Sequence, residues 1–303
     1  MSRPDFFLVG APKCGTTALY RCLEAHPEIF VPQRKELHYF GTDLHSPTYV
    51  RSLNEYLALF AAAGNKKRIG EASVWYLYSR LAATEIKAFS PQANVIIMLR
   101  NPVDMLYSLH SQHLYNGTEE IVDFADALRA EEDRKRGSRL PKGVPAVERL
   151  FYREVANYTE QVDRYLKSLG PDNVKVIIYD DFKQDPARIC RETFGFLKVD
   201  QGVEPAIRVV NPNKKLRSKT AQAILDQPPS IVGKLLRPLT TPGLRHRLFR
   251  TAQQLNTSYQ ARPPLPAELR QQLQKEFAPE IEQLSVLLNR DLTYWSKLQE
   301  AGV

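Results

Sequence analysis

The feature that most restricts this chain is Phe6-Phe7-Leu8-Val9-Gly10, followed directly by Ala11-Pro12-Lys13-Cys14-Gly15-Thr16-Thr17. An apolar run without polar alternation predicts a strand covered on both faces, as in a parallel sheet. Gly10 and Gly15 bracket a tight loop. Thr16 and Thr17 then open a helix whose apolar positions Ala18, Leu19, Cys22 and Leu23 share one face until Pro27 stops it. Strand, glycine loop and helix start together aim backbone N–H groups and a positive helix end at one point, which suits a phosphate or sulfate. The spacing of Gly10 and Gly15 matches a nucleoside-triphosphate P-loop, but the Lys-Ser/Thr pair expected after it is replaced by Thr16-Thr17. Lys13 lies earlier, inside the loop, where it projects over a group carried on a single 5′-phosphate rather than over β/γ-phosphates.

Further strands are expected over Glu28–Pro32, from Arg68 to near Glu71, over Asn94–Arg100 and over Val174–Tyr179. Helical segments alternate with them, near Asn54–Ala63, Ser79–Phe89 and along the stripe Val155, Tyr158, Val162, Tyr165, Leu166, Leu169. This alternation predicts right-handed βαβ crossovers, hence an α/β fold with a central parallel sheet flanked by helices in three layers. In such sheets ligands sit beyond the carboxyl ends of the strands, where Lys13, Glu36, Glu71 and Arg100 all fall. Asp185-Pro186 caps a helix to about Leu197. Residues 227–266 are proline-rich and irregular, with a short basic helix near Leu244–Leu255. The segment 266–300 is helical, a hairpin or kinked helix broken near Pro279. The whole of 1–303 reads as one domain.

A second anion motif follows the fourth strand. In Leu99-Arg100-Asn101-Pro102 through Ser108, Asn101 caps a helix, Pro102 takes its first position and Ser108 stands nearly two turns along. Arg100 offers a planar fork and Ser108 a hydroxyl to a phosphate. With both motifs in hand, Pro12-Lys13-Cys14-Gly15-Thr16-Thr17 resembles the 5′-phosphosulfate loop, and Arg100 with Ser108 the 3′-phosphate motif, of sulfotransferases that use 3′-phosphoadenosine 5′-phosphosulfate (PAPS). Ile177-Ile178-Tyr179-Asp180-Asp181-Phe182 and Leu287 to Trp295 are similar to that family's last core strand and C-terminal ending. The resemblance implies a P-loop kinase-like fold, PAPS as co-substrate with 3′-phosphoadenosine 5′-phosphate (PAP) as product, and no metal. The family's Arg-Lys-Gly signature is missing; Lys214 and Arg217 are candidates to substitute for it on the cofactor.

For the base, Lys35-Glu36-Leu37-His38-Tyr39-Phe40 is similar to a segment of heparan-type and bacterial carbohydrate sulfotransferases in which the glutamate removes the acceptor proton. A carboxylate among aromatics is expected to have a raised proton affinity. His38 is an alternative base, Glu71 a third acid in reach, and Glu71 and His110 candidate acceptor contacts. The acceptor is expected to be a carbohydrate, lipid or small molecule carrying a hydroxyl or amine.

The formal net charge of +8 arises partly in Arg134-Lys135-Arg136, read as a solvated face. No helix-turn-helix, zinc finger or RNA-binding signature accompanies it, so nucleic acid is not expected. No apolar stretch approaches the ~20 residues of a membrane span. With a strand starting near Phe6 and three cysteines of odd number, the expectation is a cytoplasmic protein without an anchor. Two other readings stay open at this point. One is a P-loop kinase, disfavoured by the missing lysine after Gly15; the other is a non-catalytic module that binds polyanions.

Overall fold

A computed structural model of the chain describes residues 2–142, 144, 146–206, 214–216, 257–259 and 262–297. Its centre is a parallel sheet built from β1 (Phe6–Gly10), β2 (Ile29–Phe30), β3 (Arg68–Ala72), β4 (Asn94–Leu99) and β5 (Val174–Ile178) in the order β2-β3-β1-β4-β5. Every residue of β1 and β4 is buried, as their unbroken apolar runs require.

The connections explain the layers. From β1 the chain moves toward β2 through α1 (Thr16–Glu24), whereas from β3 it crosses the other way to β4 through α3 (Ala82–Phe89), α2 (Leu53–Ala58) having come before. Right-handed crossovers in opposite directions put α1 and α3 on opposite faces. After β4 come α4 (Pro102–Asn116), α5 (Phe124–Arg129), α6 (Glu131–Lys135), α7 (Tyr152–Val155) and α8 (Tyr158–Leu169), and α8 packs against β4, β5 and α3. Beyond β5, α9 (Tyr179–Gln184) leads into α10 (Pro186–Phe196), which rests on α1. A small antiparallel pair, β6 (Lys214–Leu216) with β7 (Thr257–Tyr259), precedes α11 (Ala267–Leu287), which lies on α4 and α8.

Local chemistry sets the element ends. Asn101 Oδ1 accepts from Val103 N at 3.0 Å with Pro102 in the first turn, and Asp185 accepts from Arg188 N at 2.9 Å ahead of Pro186. Three expectations are corrected. The stripe from Val155 to Leu169 is two helices, because the chain turns at Ala156-Asn157 and restarts with Asn157 at the cap. Pro279 lies inside α11 without breaking it; burial of Leu273, Phe277, Ile281 and Leu284 along one face outweighs the lost backbone bond. The short helix expected near Leu244–Leu255 lies outside the described residues.

The third correction concerns Arg134, which is no solvated side chain. It is fully buried and donates from Nη2 to Glu119 Oε1 at 2.7 Å. Glu119 also accepts from the N–H groups of Glu120 and Ile121 and from the Tyr152 hydroxyl, each at 2.9 Å. This cluster locks the 117–121 turn and α7 against the far end of α4. Lys135 and Arg136 pair with acids at the surface. Among the described residues no helix is long and apolar enough to cross a membrane.

Removing one partner of a buried pair strands the other charge, so Glu119→Gln should cost about 3–5 kcal/mol in denaturant unfolding. The double replacement Glu119→Leu with Arg134→Met should lose less than the single change. A single variant with wild-type stability would contradict the pairing.

Candidate active site

Beyond the carboxyl ends of β1 and β4 lies a cavity of about 580 Å³ that both anion motifs line. One wall is the loop after β1. Gly15 adopts φ 88° as the cap of α1, and a Cβ there would meet the Tyr179 ring at 2.8 Å, so both backbone and space demand glycine. No side chain caps α1, and the first N–H groups of any helix lack intrahelical acceptors, so this end of α1 presents donors to the cavity. Lys13, also left-handed at φ 62°, donates from Nζ to Gln112 Oε1 at 3.1 Å across the cavity. Thr17 Oγ1 accepts from Lys35 Nζ at 3.3 Å. Pro12, Gly15, Thr16 and Thr17 line the cavity, whereas Cys14 is buried beneath it, donating its thiol to Pro12 O; only its backbone faces the loop. Burial pushes that thiol up to about 12.

The second wall starts α4. Arg100 stacks on Tyr179 with 5.0 Å from guanidinium carbon to ring centroid. Its acid neighbour Asp104, 3.9 Å away, is held more closely by Arg270 at 2.9 Å. Ser108 Oγ accepts from Arg262 Nη2 at 3.1 Å. Burial, and then the like charge of Arg100, pull the Arg262 guanidinium below its usual value. Arg262 on the Ser108 hydroxyl and Arg100 near enough to repel it, opposite a helix N-terminus, fit a ligand with anionic groups at two separated points.

Glu36 and His38 enter the cavity from the segment after β2. The Glu36 backbone N–H bonds to Ala72 O at 2.9 Å, which seats this segment at the end of β3. Its carboxylate takes His38 Nε2 at 3.0 Å and the Val74 N–H at 3.0 Å, with Lys35 Nζ 3.9 Å away. Burial pushes the Glu36 carboxyl up, but His38, Lys35 and Val74 outweigh it and hold the group below the usual carboxylate range. The expected rise in proton affinity is thereby corrected. Burial also lowers His38, against the pull of Glu36, so a neutral imidazole faces an ionised carboxylate at neutral pH.

Glu71 and His110, expected as acceptor contacts, do not reach the cavity. Glu71 is buried at the end of β3, accepting from Tyr56 at 2.7 Å, Tyr76 at 2.9 Å and Ser73 at 2.8 Å. His110 bonds Ile121 O at 2.9 Å among Phe124 and Tyr152. Their chain positions point at the right edge of the fold, but their side chains turn inward. His113, one turn on, does line the cavity, and burial brings it down to about 4, a neutral ring. Arg217 lies outside the described residues, and only the backbone of Lys214, in β6, is described. Gln112, Arg149 and Arg262 are cavity residues that sequence reading missed. Gln112 alone carried a signal, standing one turn beyond Ser108 on the same helix face. Among the described residues no group of three or more His, Cys, Asp or Glu is arranged to hold a metal ion.

The family model described as "Sulfotransferase domain" matches residues 3–222. The chain is 33% identical over 147 residues to carbohydrate sulfotransferase 15 of Mus musculus, covering 35% of this chain and 26% of the relative. It is 27% identical over 205 residues to the human bifunctional heparan sulfate N-deacetylase/N-sulfotransferase 3, covering 65% of this chain and 22% of the relative. The chain thus spans about a quarter of the length of these relatives. A solved sulfotransferase from Alicyclobacillus acidocaldarius superposes with a TM-score of 0.72 at 28% identity, covering 98% of this chain and all of that one.

Burial lifts the Glu71 carboxyl from 4.5 to about 7 despite its three hydroxyl partners. Between these values the folded state holds a proton that the unfolded chain releases, so stability should fall as pH rises across that window. Denaturant unfolding at several pH values should show this slope in the wild type and a flatter one in Glu71→Gln. Equal slopes would refute the shift.

Proposed function

The chain belongs to the sulfotransferase family, enzymes that take their sulfuryl group from PAPS, and from that premise we propose that this cavity sulfates a carbohydrate hydroxyl or amine with Glu36 as base. The observation that carries the reading is the convergence of both anion motifs and an ionised carboxylate on one cavity. The carbohydrate acceptor is supported by the relatives, two of which are named for carbohydrate and heparan sulfate sulfotransfer.

When bound, PAPS supplies an electrophilic sulfur on a phosphosulfate. The loop N–H groups from Lys13 to Thr17, with the Lys13 ammonium, are the residues to hold its 5′ end; Arg100, Ser108 and Arg262 are those to hold its 3′-phosphate. Lys13 is already positioned by Gln112, so a positive charge waits where negative charge develops, at little cost in reorganisation. Glu36 accepts the acceptor proton. Its neutral partner His38 keeps the carboxylate oriented and ionised, which lets it act from mildly acidic pH upward. A cytoplasmic setting is part of this proposal, supported by three cysteines that are all free thiols.

Transfer of label from PAPS to a panel of oligosaccharides tests the reading directly; a protein that binds no PAP would sink it. Arg100→Ala should weaken PAP by roughly tenfold to a hundredfold, about 1.5–3 kcal/mol, while leaving adenosine 5′-phosphosulfate, which lacks the 3′-phosphate, nearly unaffected. Lys13→Ala should lower turnover far more than PAP affinity, and near-normal turnover at saturating PAPS would remove its role.

Glu36→Gln should lose about 10²–10⁴ in turnover. The pH profile gives a second check. Since the Glu36 carboxyl is held low, turnover should rise with pH below the ordinary carboxylate range and be flat by neutrality. His38→Ala removes a favourable partner and should move that acid limb to higher pH. An unmoved limb would show that another group titrates.

A further inference from the structure

The start of α4 carries an acid where an anion is to be held. Asp104 stands in the first turn of α4, four residues after Arg100, and its Oδ2 lies 3.9 Å from Arg100 Nη2. That is near enough for attraction and too far for a hydrogen bond. Its other oxygen, Oδ1, accepts from Arg270 Nη2 at 2.9 Å. Arg270 comes from α11, which packs on α4, and stands close to that helix's own start at Ala267. A cation near a helix N-terminus works against the helix dipole, so this arginine does not serve its own helix. Neither Asp104 nor Arg270 lines the cavity, whereas Arg100 does.

A carboxylate turned fully onto Arg100 would take the planar edge that a phosphate needs, and would set a negative charge beside that phosphate. The Tyr179 ring, 5.0 Å from the guanidinium carbon, already covers one face of Arg100, so the edge is what remains for an anion. Arg270 therefore decides which anion that edge serves. By taking Asp104 at hydrogen-bond distance it keeps the acid about 1 Å short of contact with Arg100 and offsets its charge. The side chains of Arg100, Asp104 and Arg270 are 26%, 34% and 29% exposed, so the effect is that of one screened pair and not of a buried charge.

We propose that Arg270 is a positioning residue for the 3′-phosphate of the co-substrate: by holding Asp104 it keeps the Arg100 edge open to that phosphate. This rests on the reading of Arg100 as a ligand of the 3′-phosphate. The arrangement also ties the grip on that phosphate to the docking of α11, since Arg270 reaches Asp104 only while α11 packs on α4.

The test is calorimetric titration of the full chain with PAP and with adenosine 5′-phosphate, which differ by the 3′-phosphate alone, at an ionic strength of about 0.15 M to screen distant charges. The quantity read is the ratio of the two affinities. Arg270→Gln should lower it roughly threefold to fivefold, the scale of one screened ion pair, with adenosine 5′-phosphate affinity kept within about twofold. Adding Asp104→Asn to that variant should restore the ratio, because no acid is then left to compete. Asp104→Asn alone should move the ratio less than Arg270→Gln does, and Arg270→Gln placed on Arg100→Ala should add nothing to the loss. Arg270→Lys, a milder change that keeps a cation near Asp104, should lose part of the ratio and regain it with Asp104→Asn, which keeps the test open if the glutamine variant does not fold. Equal losses for both nucleotides, or no rescue by Asp104→Asn, would overturn the proposal. So would a gain from Asp104→Asn alone as large as the Arg270→Gln loss, which would mean a plain sum of charges. A wild type that binds no PAP fails the sulfotransferase reading, and one that binds PAP no better than adenosine 5′-phosphate fails the Arg100 assignment. A PAP preference that survives intact in Arg270→Gln fails only this inference.

Discussion

The pairing of β1 with β4 is the constraint on which the site depends. Their register runs from Phe6 opposite Asn94 to Gly10 opposite Ile97, with a slip between Leu8 and Gly10, and is extended by the Ala11 N–H bonding Met98 O at 2.7 Å. Because the two strands are parallel and adjacent, both release their chains at the same edge of the sheet, and each feeds a helix N-terminus there. The separation of the glycine loop from Arg100 is therefore set by backbone bonds in the core rather than by flexible side chains. The alternation of crossover direction about β1 opens the crevice into which both point.

The acceptor side is held differently. Lys13, Glu36 and His38 all have left-handed backbones, at φ 62°, 60° and 50°, which cost about 1–3 kcal/mol each for residues with side chains. What holds the latter two is a buried polar anchor under the Glu36–Phe40 segment. Ser73 Oγ accepts from the His38 N–H at 3.1 Å and the Tyr76 hydroxyl from the Phe40 N–H at 3.2 Å, and both hydroxyls donate to Glu71. Glu71 thus serves the geometry of the site from beneath.

What could be read in advance divides along the same line. The parallel sheet, the glycine loop after β1 and the capped helix after β4 were legible because they depend on local pattern: an apolar strand, a glycine loop, an Asn-Pro cap. Arg134 was not, because nothing near it in sequence announces that Glu119 will meet it in the core. The direction of the Glu36 shift was not legible either; aromatics nearby suggest a raised value, and only the fold shows His38 and the Val74 N–H turned onto the carboxylate. Pro279 misled for a related reason, since a strong local breaker yielded to a buried face that only α4 and α8 could supply. Arg149 and Arg262 stand in stretches without periodicity, so neither could be told from surface charge.

The late part of the chain clasps the start of α4 at several points. Arg262 reaches Ser108, Pro263 O accepts from the Tyr107 hydroxyl at 3.0 Å, Arg270 holds Asp104 and Trp295 O accepts from Asn101 Nδ2 at 3.0 Å. All four partners lie beyond residue 222, where the family match stops. During synthesis, then, the emerging protein can complete its parallel sheet well before the wall of the cavity at the start of α4 is finished. A nascent fragment ending short of residue 262 has the glycine loop and Arg100 but lacks these contacts to Asn101, Asp104, Tyr107 and Ser108. Residues 262–295 must therefore be made before the start of α4 is fully held.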